Sequence, residues 1–223
     1  MAQPDIAETL VAWTPYLAGG FVRNIMVSAA AMGAGTGIGW VLALLRNAGS
    51  PRPQRIGLFL TEFMRNTPTI VFQFYLVMLL PIEFAVPGTT LTLHFPGWIK
   101  AALALSLAVS GFVSDNLGAA LVAAKAGNRL PLAMLLPNWT GYFVLIVLAS
   151  SSASIIGVDE MISRCNTVIA VVNDNRMMFW VYAYAMLWYC AFCFTLTRSI
   201  GMLSRVLERR LIRMSAATPE PAR

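Results

Sequence analysis

Of 223 residues, 58% are hydrophobic and only 12% charged, with a mean hydropathy of +0.69; a water-soluble fold of this length needs a more charged surface, so the composition points into a membrane. The net charge of +6 and pI near 9.7 do not indicate nucleic acid, because the cations stand in short groups between apolar runs, the pattern that orients a membrane protein. Three cysteines and one histidine are too few for a disulfide framework or a metal ligand set.

In chain order, Asp5 and Glu8 open the sequence with no early Lys or Arg, so no secretory leader is expected and the first span should stay in the mature protein. Residues 1–20 read as an extracytoplasmic or interfacial segment, 21–200 as a membrane domain and 201–223 as a cytoplasmic tail. Five spans are predicted, each near the length that crosses a bilayer: about Phe21 to Leu45, Ile56 to Leu80, Trp98 to Leu117, Leu130 to Ile156 and Met178 to Ile200. In the first, Gly33 with Gly37 and Gly35 with Gly39 form two small-xxx-small pairs that let a neighbouring helix approach, within this subunit or from another. His94 falls in a Pro/Gly/Thr-rich loop, while Cys190 and Cys193 lie among aromatics in an apolar helix and read as small hydrophobes.

The connections after the first, third and fifth spans carry Arg46, Arg52 and Arg55, then Lys125 and Arg129, then Arg198, Arg205, Arg209, Arg210 and Arg213. The opposite segments hold Glu83, Asp159, Glu160 and Asp174 against Lys100, Arg164 and Arg176. The cation-rich side is the cytoplasmic one, which puts the N-terminus outside and the C-terminus inside. There is no glycine-rich phosphate loop with its Lys and Ser/Thr, no H-E-x-x-H and no G-x-S-x-G, so neither an ATPase nor a hydrolytic site is expected on this chain.

The segment Glu62-Phe63-Met64-Arg65-Asn66-Thr67-Pro68, followed by Gln73, resembles the E-x-x-R-G-T-P-x-x-x-x-Q signature of polar amino-acid ABC importer permeases, the histidine- and glutamine-type family. Ile156-Gly157-Val158-Asp159-Glu160-Met161 is similar to the family's I-G-V-D-E-L, and Leu207-Glu208-Arg209-Arg210-Leu211 to its L-E-R-R, in the same order along the chain. Read physically, Glu62 and Arg65 are three apart on one helical face and can neutralise each other. Pro68 interrupts the helix, and Thr67 can re-satisfy the freed backbone.

The resemblance implies an all-α membrane protein with about five transmembrane helices and a type I ABC importer permease fold in a bacterial inner membrane. It implies a translocation pathway for an amino acid or related small polar solute, with Glu62, Arg65, Thr67, Pro68 and Gln73 as signature and pathway candidates. The implied partners are a second permease, an ABC ATPase dimer that carries the ATP and Mg, an extracytoplasmic solute-binding protein and the lipid bilayer, with no nucleic acid and no cofactor on this chain. The family's E-A-A-x-x-x-G coupling loop is degenerate here: Val122, Ala123, Ala124, Lys125, Ala126 and Gly127 stand in its place, with Val122 for the motif glutamate and Gly118 for the arginine expected three residues after Asp115. Leu148-Ala149-Ser150-Ser151 replaces the usual K-D-T-S. The segment from Asp115 to Pro137 is shorter than the family pattern. These departures favour a heterodimer whose other permease keeps the full loop, or alternatively a noncatalytic assembly or regulatory subunit retaining the permease scaffold.

Overall fold

A computed structural model describes residues 5–85, 92–128 and 130–216. Helix α1, Ile6–Arg46, is capped by the Asp5 carboxylate, which accepts from the Ala7 N–H. It is followed by α2, Pro51–Asn66, and α3, Thr69–Leu79. A short antiparallel hairpin, β1 Glu83–Ala85 with β2 Thr92–His94, leads into α4, Gly97–Lys125. Helix α5, Leu130–Ser150, tightens into a 3-10 helix over Ser151–Ile156; α6, Met161–Val172, and α7, Asn175–Ala216, complete the bundle.

Among the described residues, four helices are long and apolar enough to cross a membrane: α1, α4, α5 with its 3-10 extension, and α7. The predicted second span, Ile56 to Leu80, is not one helix. Pro68 has no N–H to donate and disfavours helical backbone in the residue before it. Thr67 accordingly sits at φ −83°, ψ 128°, ending α2, and α3 restarts after Pro68. Thr67 still closes the first helix twice, its N–H and its Oγ1 both donating to Phe63 O at 3.1 and 2.7 Å. Helix α1 begins inside the segment expected to precede the first span, and α7 runs unbroken past residue 200 to Ala216. The L-E-R-R side chains lie outside the described residues.

Two apolar clusters hold the bundle. The first joins α1, α4 and α5 through Val27, Met32, Leu105, Val109, Val113 and Ile146. Its tightness comes from one of the two glycine pairs: a Cβ on Gly35 would sit 2.5 Å from Ser106 O, and one on Gly39 would sit 2.7 Å from Ser110 O. A Cβ on Gly33 or Gly37 would meet nothing within 4 Å, and both residues face outward. The same stretch of helix thus spends one pair on internal packing and leaves the other uncovered. The second cluster joins the first half of α1 to α6 and α7 through Leu17, Phe21, Met161, Val168, Val181 and Tyr189.

Candidate functional site

The signature segment meets α4 along one face. Thr61 Oγ1 and Ser114 Oγ are 2.7 Å apart, Ser110 Oγ donates to Met64 Sδ, and Gly111 lets the end of α2 close in, since a Cβ there would lie 2.8 Å from Arg65 N. Arg65 does not pair with Glu62, as helical spacing alone suggests. Its Nη1 reaches Asp115 Oδ2 at 2.7 Å, while Arg46 Nη1 holds Asp115 Oδ1 at 3.1 Å. One carboxylate on α4 thereby ties the ends of α1 and α2 together. The choice is made by packing: at the last turn of α2 the neighbour is α4, whose carboxylate lies within 2.7 Å of the guanidinium.

Gln73 is fully buried on α3, and its amide meets Ser152 Oγ at 2.9 Å. Ser152 has one hydroxyl proton and is 2.6 Å from Ala149 O, the carbonyl one turn back. With that proton on Ala149 O, the Gln73 amide nitrogen donates to Ser152, an orientation reached by a half-turn of the amide. Either way one buried Gln73 polar atom keeps no partner among the described residues. Gln73 and Ser152 join the two irregular stretches of the bundle, the helix restart at Thr69 and the 3-10 helix after α5. Lys100, buried in the first turn of α4, donates to Leu80 O at 2.6 Å and places a cation against the C-terminal carbonyls of α3.

The Gly157 to Met161 motif forms a lock. Gly157 adopts φ 81°, a left-handed turn that glycine makes freely, and Glu160 then caps α6 by accepting from the Ser163 N–H at 2.8 Å. Buried Asn24 donates to Ser150 Oγ and to Glu160 Oε2 at 2.9 and 3.0 Å and accepts from the Met161 N–H at 3.1 Å. Arg164 clamps Asp159 with two nitrogens at 3.0 and 2.9 Å and donates to Tyr16 O at 2.6 Å, and Arg23 adds a third contact at 2.6 Å. The Arg164 hydrogen bond holds the Asp159 carboxyl below its ordinary range, whereas burial pushes Glu160 above its own.

The coupling-loop candidates sit at the end of α4. Val122, Ala123, Ala124 and Lys125 form its last turn, Ala126 is the C-cap, and Gly127 turns left-handed at φ 88°. Gly127 N–H donates to Ala124 O and Asn128 N–H to Ala123 O, a Schellman ending that explains the glycine on local grounds. Helix α5 then begins at Leu130. Val122 and Ala123 border a groove of ≈ 450 Å³ shared with the turn between α1 and α2.

No protein-family model and no curated protein matches this chain. A solved structure does: a crystal structure described as that of an amino acid ABC transporter with histidines, at TM-score 0.69 and 18% identity, over 94% of this chain and 100% of that one. The two chains share a fold. The all-α architecture expected of an importer permease is therefore the one found, with the small hairpin as an addition. Of the site candidates, Arg65 and Gln73 make contacts between helices, Thr67 and Pro68 form the break, and Glu62 joins neither network. Asn24, Arg46, Asp115 and Ser152 are the partners that spacing does not pick out. The signal available is a polar side chain inside an apolar run, which is costly in a membrane unless it is paired.

Proposed function

We propose that this chain is a membrane-spanning permease subunit of an ATP-binding-cassette importer, forming part of the pathway for an amino acid or related small polar solute. The observation that carries the reading is the full-length fold match to an amino acid ABC transporter chain. The E-x-x-R-x-T-P segment lies at the one break in the predicted spans, which adds support independent of overall shape. Irregular backbone at membrane depth is tolerated where it is enclosed by protein or lines a cavity, as expected beside a pathway.

ATP and Mg are handled by a separate ATPase dimer, and a solute-binding protein delivers the solute from outside. The chain sits in a bacterial inner membrane with its N-terminus out and its C-terminus in the cytoplasm. The cation count supports that orientation: Arg46, Arg52, Arg55 and Lys125 gather at the α1–α2 turn and the end of α4. Loops rich in Lys and Arg belong on the cytoplasmic side.

The direct α4–α5 connection favours pairing with a second permease that carries an intact coupling loop. It is also the observation that favours a noncatalytic assembly or regulatory role. Co-expression with the ATPase, with and without a second permease, distinguishes these outcomes. Solute-stimulated ATP hydrolysis only when both permeases are present supports the heterodimer, full uptake without this chain supports the regulatory role, and stimulation by this chain alone makes it self-sufficient.

A further inference from the structure

Helix α3 is a short rod between two joints. Thr67 before Pro68 and Leu80 before Pro81 both hold extended backbone, at φ −83°, ψ 128° and φ −88°, ψ 125°, because a proline disfavours helix in the residue preceding it. The rod itself, Thr69–Leu79, is 11 residues long, about 16 Å and roughly half a bilayer's hydrocarbon core. Two of its residues are buried: Phe72, edge-on to Phe63 of α2 with ring centroids 5.9 Å apart, and Gln73. Ile70, Phe74, Tyr75, Met78 and Leu79 stand exposed. A helix docked through so few buried side chains lies at the low end of local stability. One of the two is, moreover, the amide that keeps a polar atom without a partner among the described residues, and its bond reaches Ser152 on the 3-10 helix.

We propose that α3 undocks from the 3-10 helix during the transport cycle, rolling between its two proline joints, and that Gln73 is the latch that keeps the docked position shallow. Docked, the amide has one hydrogen bond and one unpaired polar atom; undocked, both atoms are open to water or solute. A buried polar atom without a partner costs more than one neutral hydrogen bond contributes, so Gln73 works against the burial of Phe72. An apolar residue at 73 would dock α3 firmly, and apolar residues stand at 70, 71, 72 and 74 around it. The ends stay attached, since Thr67 bonds back to Phe63 O and Lys100 holds Leu80 O, so the motion is a rotation of the rod and not a detachment. The inference rests on the permease reading, which supplies the cycle; its first readout, stability, needs no transport.

Gln73→Met keeps the side-chain length and removes both polar atoms. In the purified full chain it should raise the midpoint of thermal unfolding by about 3 °C. In the complex reconstituted with a second permease, the ATPase and the binding protein, it should slow uptake of a radiolabelled amino-acid mixture about fivefold, the factor that one unpaired buried atom is worth at the low end of its range. Ser152→Ala removes the hydroxyl that Gln73 bonds and should move both readings the other way, to a lower midpoint and faster uptake per folded complex. A midpoint that falls in Gln73→Met, as it would for an amide fully paired through water, overturns the latch, and so does uptake that follows the folded fraction in both variants. No uptake by the unmodified complex would instead sink the permease reading, and the role of α3 in a cycle with it.

Discussion

The polar lock around Asn24 and the charged hub at Asp115 lie at opposite ends of one interhelical seam. They are separated along α1 by the residues from Asn24 to Arg46, about 33 Å at 1.5 Å per residue, close to the ~30 Å of a bilayer's hydrocarbon core. At the first of these ends Asn24, Ser150 and Glu160 are fully buried, and each donor has an acceptor. At the second the Arg65 and Asp115 side chains remain 53% and 38% exposed, and the one carboxylate is shared among three helices. A satisfied buried network fixes a single packing, because any alternative strands a polar group. An exposed ion pair costs little to break and remake. The Asn24 end therefore acts as a fixed anchor and the Asp115 end as the place where helix ends can shift; under the proposed orientation the Asp115 end faces the ATPase.

The largest expected effect comes from breaking the anchor. Asn24→Leu removes both donors and the acceptor, leaving the Met161 N–H without its acceptor and taking one hydrogen bond each from buried Ser150 and Glu160, and should cost about 3 kcal/mol or more. Thermal unfolding in detergent, read by tryptophan fluorescence, measures it; a shift no larger than that of Asn116→Leu, at the other end of the bundle, would show that the network is not the anchor.

Next in size is the glycine seam. Gly35→Leu must drive a side chain into Ser106 O and Val109, and should lose about 2 to 3 kcal/mol or fail to accumulate, whereas Gly33→Leu points into open space. Equal stability of the two variants would contradict the α1–α4 packing. If Gly33→Leu instead lowers copurification of a second permease while the single chain stays folded, the uncovered glycine pair is the contact between subunits.

The lock also predicts a pH profile. Asp159 has its pKa depressed by the Arg164 hydrogen bond, so its contribution is present above the unfolded carboxylate value near ~3.9 and is lost as pH falls through the still lower folded value. Glu160 has a raised pKa, so its share runs the other way: it favours folding below the unfolded value near ~4.3 and is lost as pH rises through the folded value. Together these two shares put the maximum between the unfolded carboxylate values, near pH ~4. Glu160→Gln should flatten the alkaline side of that peak and Asp159→Asn the acid side; a profile unchanged in both variants would disconnect these groups from the fold.

The spans are legible in the sequence because length and hydropathy act locally, and the positions of α1, α4, α5 and α7 follow from them. The break at Thr67 is legible in its cause, since Pro68 interrupts helical hydrogen bonding, but its consequence, two helices where one span is predicted, needs the packing of α4 against both pieces. Helix α6 escapes prediction because its apolar run is short and its start is set by a cap, Glu160, whose partners come from α1. The same reason explains Arg65: spacing on one helix names Glu62, but the choice of Asp115 is made by a second helix, and no single-helix pattern contains that information. Gly127 shows the opposite case, a glycine read through a coupling motif that local chain geometry already requires for the end of α4.

The smallest effect on stability is expected at the hub, and it is the one that separates anchor from movable end. Arg65→Ala should cost about 0.5 to 1 kcal/mol, because a half-exposed pair has little net worth once both partners' hydration is counted. Arg52→Ala, a cation with no ion pair to a described residue, should cost less still. The two hub pairs can be resolved by a cycle of Arg65→Ala, Arg46→Ala and Asp115→Asn, singly and combined. Asp115→Asn relieves neither arginine of its charge, so in the membrane-bound protein it leaves two guanidinium groups facing each other, and it should be more harmful than either arginine deletion alone. Coupling of Asp115 to Arg65 should vanish in the Arg65→Ala background, while coupling to Arg46 persists, since α1 and α4 are held together by the glycine seam regardless. If the hub is where helix ends move, the small stability loss in Arg65→Ala will come with a disproportionate loss of ATP-coupled uptake in the reconstituted complex, while Arg52→Ala leaves uptake near its starting level. Uptake that falls only in proportion to the folded fraction in both variants would reduce Arg65 to a stabilising contact and remove the distinction between the two ends of the seam.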